Sequence, residues 1–74
     1  MKKIFKIGEI LTNYNGYQYK VIDSKKDKTL FINLDNKEYV VGCHVKLIKD
    51  DNKISWAFGH YCNNIIDAFN YYIK

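Results

Sequence analysis

From Thr29 to Ile48 apolar residues return at every second position: Leu30, Ile32 and Leu34 in one run, then Tyr39, Val41, Cys43, Val45 and Leu47, with Asp35-Asn36-Lys37 between them. A period of two is that of a half-buried strand, and a chain that repeats it must pair its strands into a sheet with a covered face. A turn centred on Asn36-Lys37 would set Leu34 opposite Tyr39, Ile32 opposite Val41 and Leu30 opposite Cys43, so that the two apolar faces coincide. A second turn, centred on Asp51-Asn52, would pair Leu47 with Trp56, Val45 with Phe58, Cys43 with His60 and Val41 with Cys62. Ile54, Trp56 and Phe58 would then join the same core, whereas a slip of one residue would send Trp56 and Phe58 to the opposite face.

Upstream, Ile4 to Thr12 and Tyr17 to Asp23 read as two more strands, divided by Asn13-Tyr14-Asn15-Gly16 and followed by a turn over Asp23 to Lys28. From Asn64 the period changes. Ile65, Ile66, Phe69, Tyr72 and Ile73 recur at three- and four-residue spacing, as along one side of a helix. Asn63 or Asn64 can cap it, and Asp67 places a carboxylate in the first turn. A helix this short does not persist alone and must dock on the sheet. The expected fold is therefore α+β: one domain over residues 1–74, with a small, curved, antiparallel sheet of about five strands, SH3-like or a partly open barrel, and one C-terminal α-helix over about 64–73. With 74 residues, 47% of them hydrophobic and 16% aromatic, the chain can supply one small core.

Phe31 would lie beside Val40 and Gly42 on the face opposite that core, with Ala57 and Gly59 on the neighbouring strand. Such a strip of small residues lets another backbone approach, and the C-terminal helix is its expected occupant; a partner protein or a second copy of the chain is the alternative.

The N-terminal Met1-Lys2-Lys3-Ile4-Phe5-Lys6 starts like a signal peptide, but Lys6 and Glu9 interrupt the apolar stretch that one requires. No run approaches the roughly 18 apolar residues of a membrane span, so a cytoplasmic protein without a membrane partner is expected. In that compartment Cys43 and Cys62 are expected as reduced thiols. The net charge of +4 invites a nucleic-acid reading and argues against DNA mimicry, which needs an acidic surface. All twelve basic residues are lysine. Lysine lacks the forked geometry of arginine for base contacts, which disfavours sequence-specific readout.

Four residues could ligate zinc: Cys43, His44, His60 and Cys62. The expected register puts Cys43, His60 and Cys62 on one face and His44 on the other, leaving three donors without the paired-cysteine spacing of a structural site; no metal and no cofactor are expected. Cys43 in the middle of an apolar face would be inert as a nucleophile. Ser24 and Ser55 sit in no glycine-flanked elbow, and Asp50-Asp51 falls in a turn. The chain reads as a non-enzymatic binding protein. The candidate binding residues are aromatics interleaved with cations: Tyr14, Tyr17, Tyr19 and Lys20 around the first turn, and Phe31, His44, Lys46 and Tyr61 on the face opposite the core. Such side chains can stack bases and neutralise phosphates, although tyrosines of a small sheet also serve to cover its edges.

The stretch Trp56-Ala57-Phe58-Gly59-His60-Tyr61 with Asn64, Ala68 and Tyr71-Tyr72 resembles the ending of small proteins carried by phages and mobile elements of low-GC bacteria. Ile7-Gly8-Glu9-Ile10, Asn13 to Tyr17 and Tyr19-Lys20-Val21 are similar to their opening. The resemblance implies a stoichiometric inhibitor of host defence of the anti-CRISPR kind, acting on a protein effector or on its nucleotide or nucleic-acid ligand; it assigns no residue a role. A host protein complex is the first expected partner and nucleic acid or a nucleotide the second. A general nucleic-acid-binding SH3-like module is the alternative function. Exposed strand edges leave a homodimer open.

Overall fold

The computed structural model describes residues 5–48 and 53–74, and its architecture is α+β: a curled, half-open barrel with one C-terminal helix. Seven strands are present among the described residues: β1 (Ile10–Asn13), β2 (Gln18–Ser24), β3 (Lys28–Asn33), β4 (Tyr39–Cys43), β5 (Lys46–Ile48), β6 (Lys53–Ser55) and β7 (Phe58–Cys62). They run in the order β5-β6-β1-β2-β3-β4-β7. All neighbours are antiparallel except β1 and β6, which are parallel, so the sheet is mixed and has more strands than expected. The turn expected at Asp51-Asn52 lies outside the described residues.

Both expected hairpins form, each with its register displaced by two residues. Ile32 faces Tyr39 and Leu30 faces Val41, because Asn33 folds the chain early. Its Oδ1 accepts the N–H groups of Asp35 (2.8 Å) and Asn36 (3.2 Å), and its own N–H reaches the Glu38 carbonyl. Likewise Val41 faces His60, and Tyr39 faces Cys62. A shift of two preserves the face of every side chain.

The single long strand expected over Tyr39 to Ile48 is broken at His44, which takes a left-handed φ of 55°. In an unbroken strand Val41 and Val45 would share a face. The turn at His44 sends Val45 to the other side, and two cores result among the described residues. The first gathers Phe5, Leu11, Tyr19, Val21, Phe31, Val40, Val45 and Ile54, with Trp56 packed against it. The second gathers Leu30, Val41, Cys62, Ala68 and Tyr72. Phe31 and Val40 thus lie in the concave interior of the sheet, not on a surface. Phe58, expected in the core, is 61% exposed on the edge strand β7.

The helix α1 (Ile65–Tyr72) covers the outer face of β3, β4 and β7, on the opposite side from the Phe31, Gly42 and Gly59 strip where docking was expected. Its buried residues are Ala68 and Tyr72: the small alanine allows close approach, and the tyrosine fills the space over Leu30 and Val41. Ile65, Ile66, Phe69 and Ile73, expected to face the sheet, are exposed. Asn64 caps the helix, its Oδ1 accepting the Asp67 N–H at 2.9 Å while its Nδ2 donates to the Asp67 carboxylate at 3.0 Å. The Lys28 ammonium donates to the Tyr71 carbonyl at the other end, 3.3 Å away. Replacing Asn64 by alanine should lower the unfolding free energy by about 0.5–2 kcal/mol, with Asn64→Ser retaining most of it. Urea denaturation followed by far-ultraviolet circular dichroism measures both; equal losses in the two variants would contradict the capping role.

Among the described residues no helix is long and apolar enough to cross a membrane.

Candidate functional site

The β1–β2 hairpin is closed by Asn13, whose Oδ1 accepts the N–H groups of Asn15 (3.0 Å) and Tyr17 (3.1 Å), with Gly16 supplying the left-handed φ of 88° that the turn needs. The same Asn13 donates from Nδ2 to the Tyr19 phenol at 3.3 Å, which ties the hairpin to the first core. Tyr14 is thereby held at the tip and is 54% exposed. The Lys53 ammonium lies 5.7 Å from its ring centroid.

Trp56 occupies the short link between β6 and β7. Its seat is the cross-strand pair of Gly42 and Gly59. A Cβ on Gly59 would stand 2.8 Å from the indole Nε1, and one on Gly42 would stand 3.3 Å from Cδ2 and 2.8 Å from Val45 Cγ2. The strip of small residues therefore admits an indole of the same chain rather than a helix backbone. Beneath it, Tyr19 meets the indole edge-on at 5.3 Å and 85°, and Phe31 lies 5.4 Å away at 31°. Trp56 itself is only half-buried, so a supported aromatic surface faces outward.

A cleft opens on each side of this indole. One, of 170 Å³, is lined by Asn13, Tyr14, Asn15, Ser55, Trp56 and Tyr61. The other, of 260 Å³, is lined by His44, Lys46, Ser55, Trp56 and Ala57. Among the described residues no carboxylate lines either cleft. The walls provide aromatic faces, amide and hydroxyl groups, an imidazole and an ammonium, which are the groups that hold a flat ring and an anion side by side.

Of the eight expected binding residues, the structure brings four to this indole: Tyr14 and Tyr61 in the first cleft, His44 and Lys46 in the second. Two others are corrected. Phe31 is fully buried and Tyr19 is 4% exposed, so neither can touch a ligand; both support Trp56 from within. Burial, with the neighbouring Tyr61 as the second cause, raises the Tyr19 phenol above its ordinary pKa. Tyr17 is exposed on the hairpin but lines neither cleft, and Lys20 stands on the outer face of β2 beside an apolar groove walled by Ile7, Ile32, Tyr39 and Ile65.

Sequence reasoning missed Trp56, which it assigned to the core, and with it Asn13, Ser55 and Ala57. The signal that pointed there was the strip Gly42, Ala57 and Gly59, read as a helix seat. The zinc-ligand types do not converge. Cys43 faces Phe58, His60 faces Val41 and Cys62 faces Tyr39, while the His60 ring stacks on Tyr71 at 4.0 Å and 11°. No group of three His, Cys, Asp or Glu side chains among the described residues could hold a metal ion. Both cysteines are buried free thiols, and burial pushes the Cys62 thiol above its usual pKa, away from the reactive thiolate.

The chain matches no family model, no curated protein and no solved structure.

Proposed function

We propose that this chain is a non-enzymatic binding protein whose Trp56 surface takes up a nucleotide or single-stranded nucleic acid. In the setting its sequence resemblance implies, it would inhibit a host defence system by holding the nucleotide or nucleic-acid ligand of an effector one-to-one. The observation that carries this reading is the indole seated on Gly42 and Gly59, with an aromatic and amide cleft on one side and a cationic cleft on the other. A base stacks on such a ring whatever its identity, and Lys46 neutralises phosphate without reading sequence.

Trp56 is the only tryptophan in the chain, so its fluorescence reports the site directly. Titration of the purified protein with short single-stranded DNA in low salt should quench that fluorescence saturably at one ligand per chain, and the affinity should fall as salt rises. Absence of quenching with nucleotides and with single strands would sink the proposal.

A second reading, a protein effector as target, is favoured by one observation. Ile66 (69% exposed), Phe69 and Ile73 form an apolar stripe along the outer side of α1. Under that reading, pull-down from host lysate retains one protein in near-stoichiometric yield after nuclease treatment, and Phe69→Glu abolishes the retention. The Trp56 reading instead gives nuclease-sensitive recovery of nucleic acid that is indifferent to Phe69→Glu.

A further inference from the structure

Beyond the two clefts at Trp56, a third depression of 520 Å³ lies at the β2–β3 turn, walled by Lys25, Lys26, Asp27 and His44. His44 also stands in the wall of the 260 Å³ cleft, and that cleft shares Ser55 and Trp56 with the 170 Å³ one. The three depressions are linked in series through common side chains. Their chemistry changes along the line, from phenols and amides, to indole with imidazole and ammonium, to a pair of lysines.

The junction is fixed by the backbone. His44 holds its left-handed φ while its N–H donates to the Asp27 carbonyl at 3.0 Å, which fastens the β4–β5 link to the β2–β3 turn. A non-glycine residue keeps that conformation only where its surroundings impose it. The backbone of His44 is therefore fixed where its exposed side chain lines both the 260 Å³ cleft and the lysine depression.

Resting on the reading of the Trp56 surface as a base-and-phosphate site, we propose that the ligand is an extended single strand of about four nucleotides, at the small end of known single-strand site sizes. Its bases stack at Trp56, Tyr14 and Tyr61, and its phosphates pass Lys46 and His44 to reach Lys26. A mononucleotide brings one ring and its phosphates to one place and leaves the lysine depression empty. A duplex keeps its bases stacked on one another and cannot lay one on the indole. The Lys25 ammonium already sits 4.5 Å above the Tyr72 ring, so exposed Lys26 is the residue that meets phosphate there. The Asp27 carboxylate in the same wall offsets part of that charge.

The test is a length series of oligothymidylates from one to six nucleotides, followed by tryptophan fluorescence of the full chain, with Lys26→Glu as the variant. Affinity should rise at least about tenfold from the mononucleotide to the tetramer and then level off, as each added base or phosphate finds a partner. Lys26→Glu should weaken the tetramer several-fold and flatten its salt dependence by roughly the 0.7 expected of one phosphate contact, while leaving the mononucleotide unchanged. A mononucleotide that binds as tightly as the tetramer, duplex that competes as well as single strand, or a Lys26→Glu effect equal at all lengths would overturn the extended strand and leave the nucleotide reading intact. Absence of quenching at every length removes both.

Discussion

Phe31→Ala is expected to lower the unfolding free energy by about 3–5 kcal/mol, the range for a large aromatic removed from a closed core. The ring is fully buried in the concave side of the sheet, edge-on to Tyr19 at 5.7 Å and 63° and tilted to Trp56 at 5.4 Å. Its loss removes transfer free energy, leaves a cavity between β3 and the indole, and deletes two aromatic contacts worth about 0.5–1.5 kcal/mol each. Domains of this size stand near the lower end of the usual 5–15 kcal/mol, so the alanine variant should be largely unfolded at modest urea concentrations. Phe31→Leu, which keeps most of the volume, should lose less than half as much. Urea denaturation curves for the three proteins decide the matter. An alanine variant within about 1 kcal/mol of the parent would show that the Phe31 side of the sheet is not a principal core, contrary to its burial.

The fold class was legible because alternation is robust to small errors of register. Leu30, Ile32, Tyr39 and Val41 share a face whether the turn is placed at Asn36-Lys37 or starts from Asn33, since the two pairings differ by an even number. What set the true register was the Asn33 side chain capping two N–H groups of the turn, and asparagines also stand at 13, 15, 36, 52, 63 and 64 with equal claim. The break at His44 was illegible for a different reason. A left-handed residue is announced plainly in sequence by glycine alone, and here it is a histidine whose N–H is held by the Asp27 carbonyl from a distant turn. That single conformation divides one expected core into two and moves Val45, Ile54 and Trp56 to the side of Phe31.

The helix was found from its period and its cap, but its buried side was misjudged. Summing bulky apolar residues selects Ile65, Ile66, Phe69, Tyr72 and Ile73, of which Tyr72 alone is buried, and it passes over the smallest residue on the helix, Ala68, which close packing on a sheet selects. The displaced stripe is left outward, beside the Asn64 cap that fixes where the helix begins. The candidate site followed the same logic. Tyr14, His44, Lys46 and Tyr61 could be singled out by type, but their meeting point depends on Gly42 standing opposite Gly59, which only the true register provides.

Trp56→Ala is expected to weaken single-strand binding by about 1–3 kcal/mol, roughly 5- to 150-fold, which is the loss found when a stacking aromatic is cut back to alanine. The same change removes a ring packed on Tyr19 and Phe31, so the protein should also lose stability, by less than Phe31→Ala because Trp56 is only half-buried. Since the variant has no tryptophan, binding has to be read by anisotropy of a labelled oligonucleotide, at a temperature where circular dichroism shows both proteins folded. Trp56→Phe separates the two effects: it restores a stacking face and much of the packing, and should recover most of the affinity. Lys46→Ala supplies the complementary contrast, since loss of one phosphate contact should change the slope of log affinity against log salt by about 0.7, whereas loss of the indole should lower affinity at every salt concentration and leave the slope unchanged. If Trp56→Ala binds as the parent does while remaining folded, the indole serves only as a lid on the Phe31 core. The aromatic surface between the two clefts would then have no part in binding.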